Sequence, residues 1–235
     1  MFEFAIPCVC FLLFIGLAVA VVIYGNYVSE KRRKALAEAA QLMGFDWLDK
    51  TLGTLSSLFR HFTLFNRGSG ADAYNAMRGR IGSQELYVMD CKYTTGSGKN
   101  RSTHYQTVVL LPEAATHLPV FEMEPENFLH QVFQVFGYQD IDFEEHPEFS
   151  RKYLLRGPNA EQIREAFTPE ALDYFGSQPG WFVESKNGSL LVYRHGVVVT
   201  PEKLPEFVAE AARIAAFFQG GSGPSGKPQA IQEEF

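Results

Sequence analysis

The chain has 235 residues, 21 Lys and Arg against 27 Asp and Glu, and a formal net charge of −6. Without Glu3, Glu30 and the four consecutive cations Lys31 to Lys34, 17 basic residues face 25 acidic ones, a balance that argues against a nucleic-acid-binding surface, which needs cations to displace counterions. Apolar residues make up 46% of the chain, too many for wholesale disorder, and only Cys91 lies outside the first stretch, which excludes a disulfide framework and a Cys-rich zinc site.

From Phe4 to Ser29 no side chain is charged, and Lys31-Arg32-Arg33-Lys34 follows directly. A helix needs about 20 apolar residues to cross roughly 30 Å of hydrocarbon. Residues 1–29 are therefore expected to form a transmembrane helix, with Pro7 near its first turn and Tyr24 and Tyr27 at the headgroup level. A cleavable signal peptide would open with positive charge, and the only charged residue before the run is Glu3. Basic flanks stay cytoplasmic. The expectation is a single-pass protein with the N-terminus outside, the C-terminal domain cytoplasmic, and Lys31, Arg32, Arg33 and Lys34 at the membrane interface.

Residues 30–60 read as a helical neck. Glu30 to Met43 is rich in helix formers and continues the span, Gly44 ends it, and Asp46 reads as the N-cap of a second amphipathic helix from Trp47 to Phe59. Arg67 to Gly70 is a break. A soluble domain is expected over 61–218, with a division into two subdomains near 137–157 left open. From Tyr74 to Glu124 the apolar period becomes two, so Glu85 to Tyr93 and His104 to Leu111 read as a hairpin around a Gly/Ser tip, flanked by strands at Met77 to Ile81 and Val120 to Met123. Pro125-Glu126 is expected to open a helix running through Phe136.

Asp140 to Arg156 is aromatic and acidic, a loop with a short strand at Tyr153 to Leu155. Asn159 and Thr168 read as caps of two short helices. Trp181 to Ser185 and Ser189 to Arg194 flank Asn187-Gly188, a strong hairpin signal, and Val197 to Thr200 is a candidate extension of that sheet. Pro201 to Phe218 reads as a final amphipathic helix. The Gly/Pro/Ser-rich residues 219–235 are expected to be a disordered tail. The fold class is α+β: one N-terminal transmembrane helix, then antiparallel β-hairpins packed with helices.

Several motifs fail their context. Thr95 to Asn100 resembles the end of a phosphate loop, but Tyr93 stands where its first Gly belongs, Asn100 where Ser or Thr belongs, and a strand follows instead of a helix. Gly68-Ser69-Gly70-Ala71-Asp72-Ala73 satisfies a dinucleotide fingerprint but leads into antiparallel pairing. The six histidines show no pair at the i, i+4 spacing of a helical zinc site. The acids from Asp140 to Glu148 lack the glycine and alternating ligands of a calcium loop. No catalytic residue, cofactor or metal site is expected.

Three stretches, Tyr93 to Leu110, Leu118 to Glu126 and Ile141 to Gly157, together resemble a family of uncharacterised bacterial membrane-anchored proteins built on a domain of unknown function. The resemblance spans roughly Lys31 to Phe218. It implies a bacterial source and an inner-membrane location, and carries no activity or site residue. The sequence thus points to a membrane-tethered binding or scaffolding module, with the lipid bilayer and an unknown protein as partners, and with Phe143, Phe149 and Tyr153 of the aromatic loop as a candidate partner-binding patch. The alternatives are a membrane-bound enzyme using His104, Cys91 or the acidic loop, and an accessory subunit of a membrane complex.

Overall fold

A computed structural model of the protein describes residues 5–48, 59–114, 118–128 and 140–219, with side chains from Phe14 onward. Helix α1 runs unbroken over Ala5–Leu42, 38 residues. It ends where Gly44 N donates to Gln41 O (3.1 Å) and Phe45 N to Ala40 O (2.8 Å), two bonds that satisfy carbonyls of the last turn. The first part of the helix and its last three turns meet different surroundings. Apolar side chains from Phe14 to Val28 are open to solvent, among them Phe14 (73% exposed), Leu17, Val21, Val22 and Ile23, whereas Leu36, Ala39 and Ala40 are buried in the core. Residues 30–42 of the expected neck thus belong to the same helix as the expected span, and the end of that helix belongs to the domain interior.

Among the described residues no helix is both long and apolar enough to cross a membrane. The apolar run read from the sequence starts at Phe4, ahead of the first described side chain, so part of the expected span lies outside the described residues.

Eight antiparallel strands form one sheet, in the order β1-β2-β3-β4-β8-β7-β5-β6. They are β1 (Asp46–Leu48), β2 (Ser69–Ile81), β3 (Gln84–Thr95), β4 (Ser102–Leu111), β5 (Phe121–Pro125), β6 (Tyr153–Arg156), β7 (Phe182–Lys186) and β8 (Ser189–Tyr193). Strands from both halves of the chain are joined where Val108 to Leu111 of β4 face Leu190 to Tyr193 of β8. Among the described residues four α-helices follow α1: α2 (Pro147–Ser150), α3 (Ala160–Ala166), α4 (Pro169–Ser177) and α5 (Leu204–Ala216). Asn159 Oδ1 caps α3 through Gln162 N (3.1 Å), and Thr168 Oγ1 caps α4 through Ala171 N (3.3 Å).

Because strand side chains alternate, the sheet buries two faces. One carries Met77, Leu86, Val88, Val109, Leu111, Val183, Leu190 and Val192 beneath α1, α3, α4 and α5. The other carries Ala76, Met89, Cys91, Val108, Leu110, Leu191 and Tyr193 beneath Phe59, Phe62, Leu64 and Phe65, a strap of chain laid across it.

Three local expectations are corrected. Asp46 does not cap a helix: with Trp47 and Leu48 it forms β1, pairing Asp46 to Arg78 and Trp47 to Met77, and residues 49–58 of the expected helix lie outside the described residues. Pro125 ends β5, Glu126–Phe128 is a single 3-10 turn, and residues 129–136 of the expected helix are again outside the described residues. Val197 to Thr200 forms no strand, although Val197 O accepts from Thr107 N (2.9 Å). The Asn187-Gly188 hairpin holds, with positive φ at both residues (54° and 74°), as a two-residue turn of this hand requires.

Candidate functional site

A groove of about 700 Å³ lies between α4, the segment after β8, and α5. Its wall on α5 arises from helical spacing: Glu206 with its neighbour Phe207, then Glu210 and Arg213, recur every three or four residues and so share one face, with Lys203 just ahead of the helix. Pro205 in the first turn of α5 and Pro169 in that of α4 need no N–H there, and each starts its helix beside the groove.

The floor is aromatic. Trp181 stacks on Phe207 with ring centroids 5.5 Å apart. The Arg194 guanidinium lies 4.3 Å above the Trp181 ring, and Arg213 lies 4.9 Å from the Tyr174 ring. Tyr174 donates its hydroxyl proton to Glu210 (2.7 Å), and burial together with that carboxylate raises the phenol's pKa. The Trp181 indole Nε1 is buried and has no acceptor among the described residues. Val197 and Val198, 41% and 40% exposed, form an apolar lip. A groove with stacked aromatics, an apolar lip and three cations against two carboxylates suits an amphiphilic partner with a planar or apolar part and an acceptor.

A second concentration of chemistry lies under the strap, and it is enclosed. Arg67, expected only as part of a break, is almost fully buried and ion-pairs with Glu124 (2.7 Å), which also takes Arg156 (2.7 Å). Glu184 accepts from Thr63 N (2.6 Å), Leu64 N (3.0 Å) and the Tyr193 hydroxyl (3.2 Å). Burial pushes its carboxyl up to about 7, against the opposing pull of Arg67. Thr63 also bonds Glu122, which sits 3.6 Å from Lys186. Beside this network Tyr93 meets His195 Nδ1 at 3.2 Å, His104 stacks on Tyr93 at 5.0 Å, and Phe128 packs on His195 at 4.2 Å. Burial lowers His195 to about 4, which leaves a neutral ring. The arrangement pins the strap to the sheet: each carboxylate is spent on an amide, hydroxyl or cation of a neighbouring segment.

The residues expected to carry function are distributed differently. Phe149 and Tyr153, both 1% exposed, stack on each other at 5.4 Å inside the core, and Tyr153 donates to Gln178 O (3.0 Å). Only Phe143 of that patch is half-buried, packed against Phe149 and Phe167 with Arg164 over its ring. Burial thus removes Phe149 and Tyr153 as direct contacts for a partner and makes them a framework. In the basic collar, Arg32 turns inward: its Nε and Nη2 hold both Asp90 oxygens at 2.8 and 2.7 Å. Arg33 pairs with Glu30 (2.9 Å), while Lys31 and Lys34 are exposed.

Cys91 is buried and its thiol is pushed up to about 12, chiefly by that burial, which opposes thiolate chemistry. The acids of the 140–148 loop disperse. Asp140 turns in to cap Ile141 N and Leu155 N (2.8 and 3.0 Å), and Glu148 pairs with Arg151 and Lys152. Among the described residues no group of three or more His, Cys, Asp or Glu is placed to hold a metal ion.

Sequence reasoning missed the groove because its wall and floor come from three separated segments. The α5 periodicity and the Trp181 to Arg194 hairpin were visible; their meeting was not. Comparison with known proteins finds no matching protein family, no matching curated protein and no matching solved structure.

Proposed function

We propose that the chain is a membrane-tethered binding or scaffolding module. Helix α1 holds it in a cell membrane, its domain lies on the cytoplasmic side, and the groove between α4 and α5 receives the partner. The observation that carries this reading is the state of α1. Consecutive residues Val21, Val22 and Ile23 are 62%, 61% and 63% exposed and point around the whole circumference, so no single protein face accounts for them. Hydrocarbon on all sides satisfies such a surface, and water does not. The cations just after the run support the cytoplasmic placement, and the resemblance to bacterial membrane-anchored proteins favours an inner membrane.

The test pairs extraction with sidedness. The full chain should remain in the membrane fraction after alkaline carbonate washing, and a C-terminal reporter active only in the cytoplasm should give signal. Release by carbonate, or signal from a reporter active only outside, would overturn the reading. For the groove, charge reversal at the exposed residues Lys203 and Arg213 should abolish in-cell crosslinking from a photoreactive residue at Val198, with the thermal midpoint unchanged. Enzymatic readings have less support, since Cys91 and the acidic loop do not converge with His104 on a common cavity among the described residues.

A further inference from the structure

We infer that the β3–β4 hairpin tip is a second membrane contact, docking on anionic lipid headgroups through Lys99 and Arg101 beside the collar of α1. This rests on the membrane-anchor reading and deepens it. The direction of α1 along the sheet brings the tip and the collar together. Arg32 grips Asp90, which pairs with Tyr74 of β2, while Phe45 lies under Gly79, which pairs with Leu86. Going from Arg32 to Phe45 therefore climbs β2 from Tyr74 towards Gly79. Going the other way, from Arg32 towards Phe14, heads for the start of β2, the end of β3 and the turn that joins β3 to β4.

The lengths bring the two together. The apolar run resumes at Val28, about 6 Å along the helix from Arg32 at ~1.5 Å per residue. From Asp90 to Thr95, β3 reaches roughly 17 Å at ~3.3 Å per residue, and the turn extends beyond it. A bilayer around the apolar run then lies within reach of this hairpin. The exposure of α1 from Phe14 to Glu30 indicates that the hairpin splays away from the helix instead of packing on it.

The chemistry of that end fits. Gly96 to Thr103 is exposed throughout and carries Lys99 and Arg101 with no acidic residue. On the strands below, Lys92 pairs with Asp72 (3.3 Å) and Tyr105 is 48% exposed, an amphipathic ring of the kind that suits the headgroup layer. Lys31 and Lys34 add charge from α1, and Glu30 and Asp72 are the exposed acids nearby. The acidic excess of the chain lies elsewhere, at residues such as Glu113, Glu144, Glu145, Glu148 and Glu161. An anionic bilayer surface is the partner that this end accommodates and the rest of the domain repels.

Limited trypsin cleavage of the full chain, reconstituted in vesicles of phosphatidylcholine alone or mixed with phosphatidylglycerol, tests this. Cleavage after Lys99 and Arg101 is compared by mass spectrometry with cleavage after Arg80, which is exposed at the opposite end of β2 and β3. On anionic vesicles the ratio should fall roughly tenfold or more, as two basic residues near such a surface imply, and high salt should restore it. An equal ratio on both vesicles would overturn the inference while leaving the anchor intact. Failure of the full chain to float with neutral vesicles would instead overturn the anchor, and this contact with it.

Discussion

At the scale of single residues, Asp90 couples the helix to the sheet. Its two oxygens receive Arg32 from α1, Asn75 from β2 (2.9 Å) and Thr107 from β4 (3.0 Å), and Thr107 Oγ1 in turn accepts from Val199 N (3.0 Å). Replacing Asp90 by Ala leaves Arg32 half-buried without an acceptor and should cost about 2–4 kcal/mol. A lowered urea midpoint at unchanged slope would register it, and Lys31→Ala should leave that midpoint where it is. Glu184 offers a pH handle. Its carboxyl is raised from about 4.5 unfolded to about 7 folded, so the folded state binds the extra proton between those values. The stability it contributes is therefore present below about pH 4.5 and is lost as pH rises through about 7. His195, lowered to about 4, acts in the opposite sense below its unfolded value. The difference between wild type and Glu184→Gln isolates the carboxyl, and it should favour the variant increasingly from pH 5 to pH 8. A difference flat with pH would refute the assignment.

At the scale of elements, the connection from α1 to β2 depends on a contact between a ring and a missing side chain. A Cβ on Gly79 would overlap the Phe45 ring, so glycine is needed for close approach and not for its backbone angles. Gly79→Ala should displace Phe45 and destabilise the domain by about 1–3 kcal/mol, read as a fall in thermal midpoint that Phe45→Ala partly rescues in the double variant. The same elements show what the sequence disclosed. Hairpins were legible because their signals are local: the Asn187-Gly188 turn, the polar tip between Thr95 and Ser102, and the period of two in Glu85 to Tyr93. The helix caps Asn159 and Thr168 were legible for the same reason. The pairing of β4 with β8 was not, since Val108 and Tyr193 meet across the chain and nothing near either names the other. Trp47 and Leu48 misled because the amphipathic pattern around them fits a helix, while pairing with Met77 and Ala76 draws them into the sheet. The aromatic loop misled through composition. Phe149 and Tyr153 looked available to a partner, and their burial reflects the usual preference of large rings for the interior.

At the scale of the whole molecule, α1 is both a rod outside the domain and a piece of its core, and this decides where the chain can be cut. Leu36 is 2% exposed, Ala40 0% and Ala39 9%, all packed with Met77, Val88 and α5 in one cluster. Removing a single buried leucine side chain typically costs about 2–5 kcal/mol, and removing this whole turn together with the Arg32–Asp90 pair would exceed the roughly 5–15 kcal/mol that holds an ordinary domain folded. A chain beginning at Glu30 keeps every one of these contacts and sheds the uncharged run of the sequence, whose described side chains from Phe14 to Ser29 are exposed. It should be soluble without detergent and unfold in one cooperative step, because a single sheet joins both halves and leaves no boundary at 137–157 for one half to melt alone. A chain beginning at Phe45 should aggregate or bind a hydrophobic dye in its absence. Calorimetry of the first fragment checks both points. Two separated transitions would mean that the halves on either side of the β4–β8 seam are independent, and a folded, monomeric second fragment would mean that the end of α1 is a neck after all.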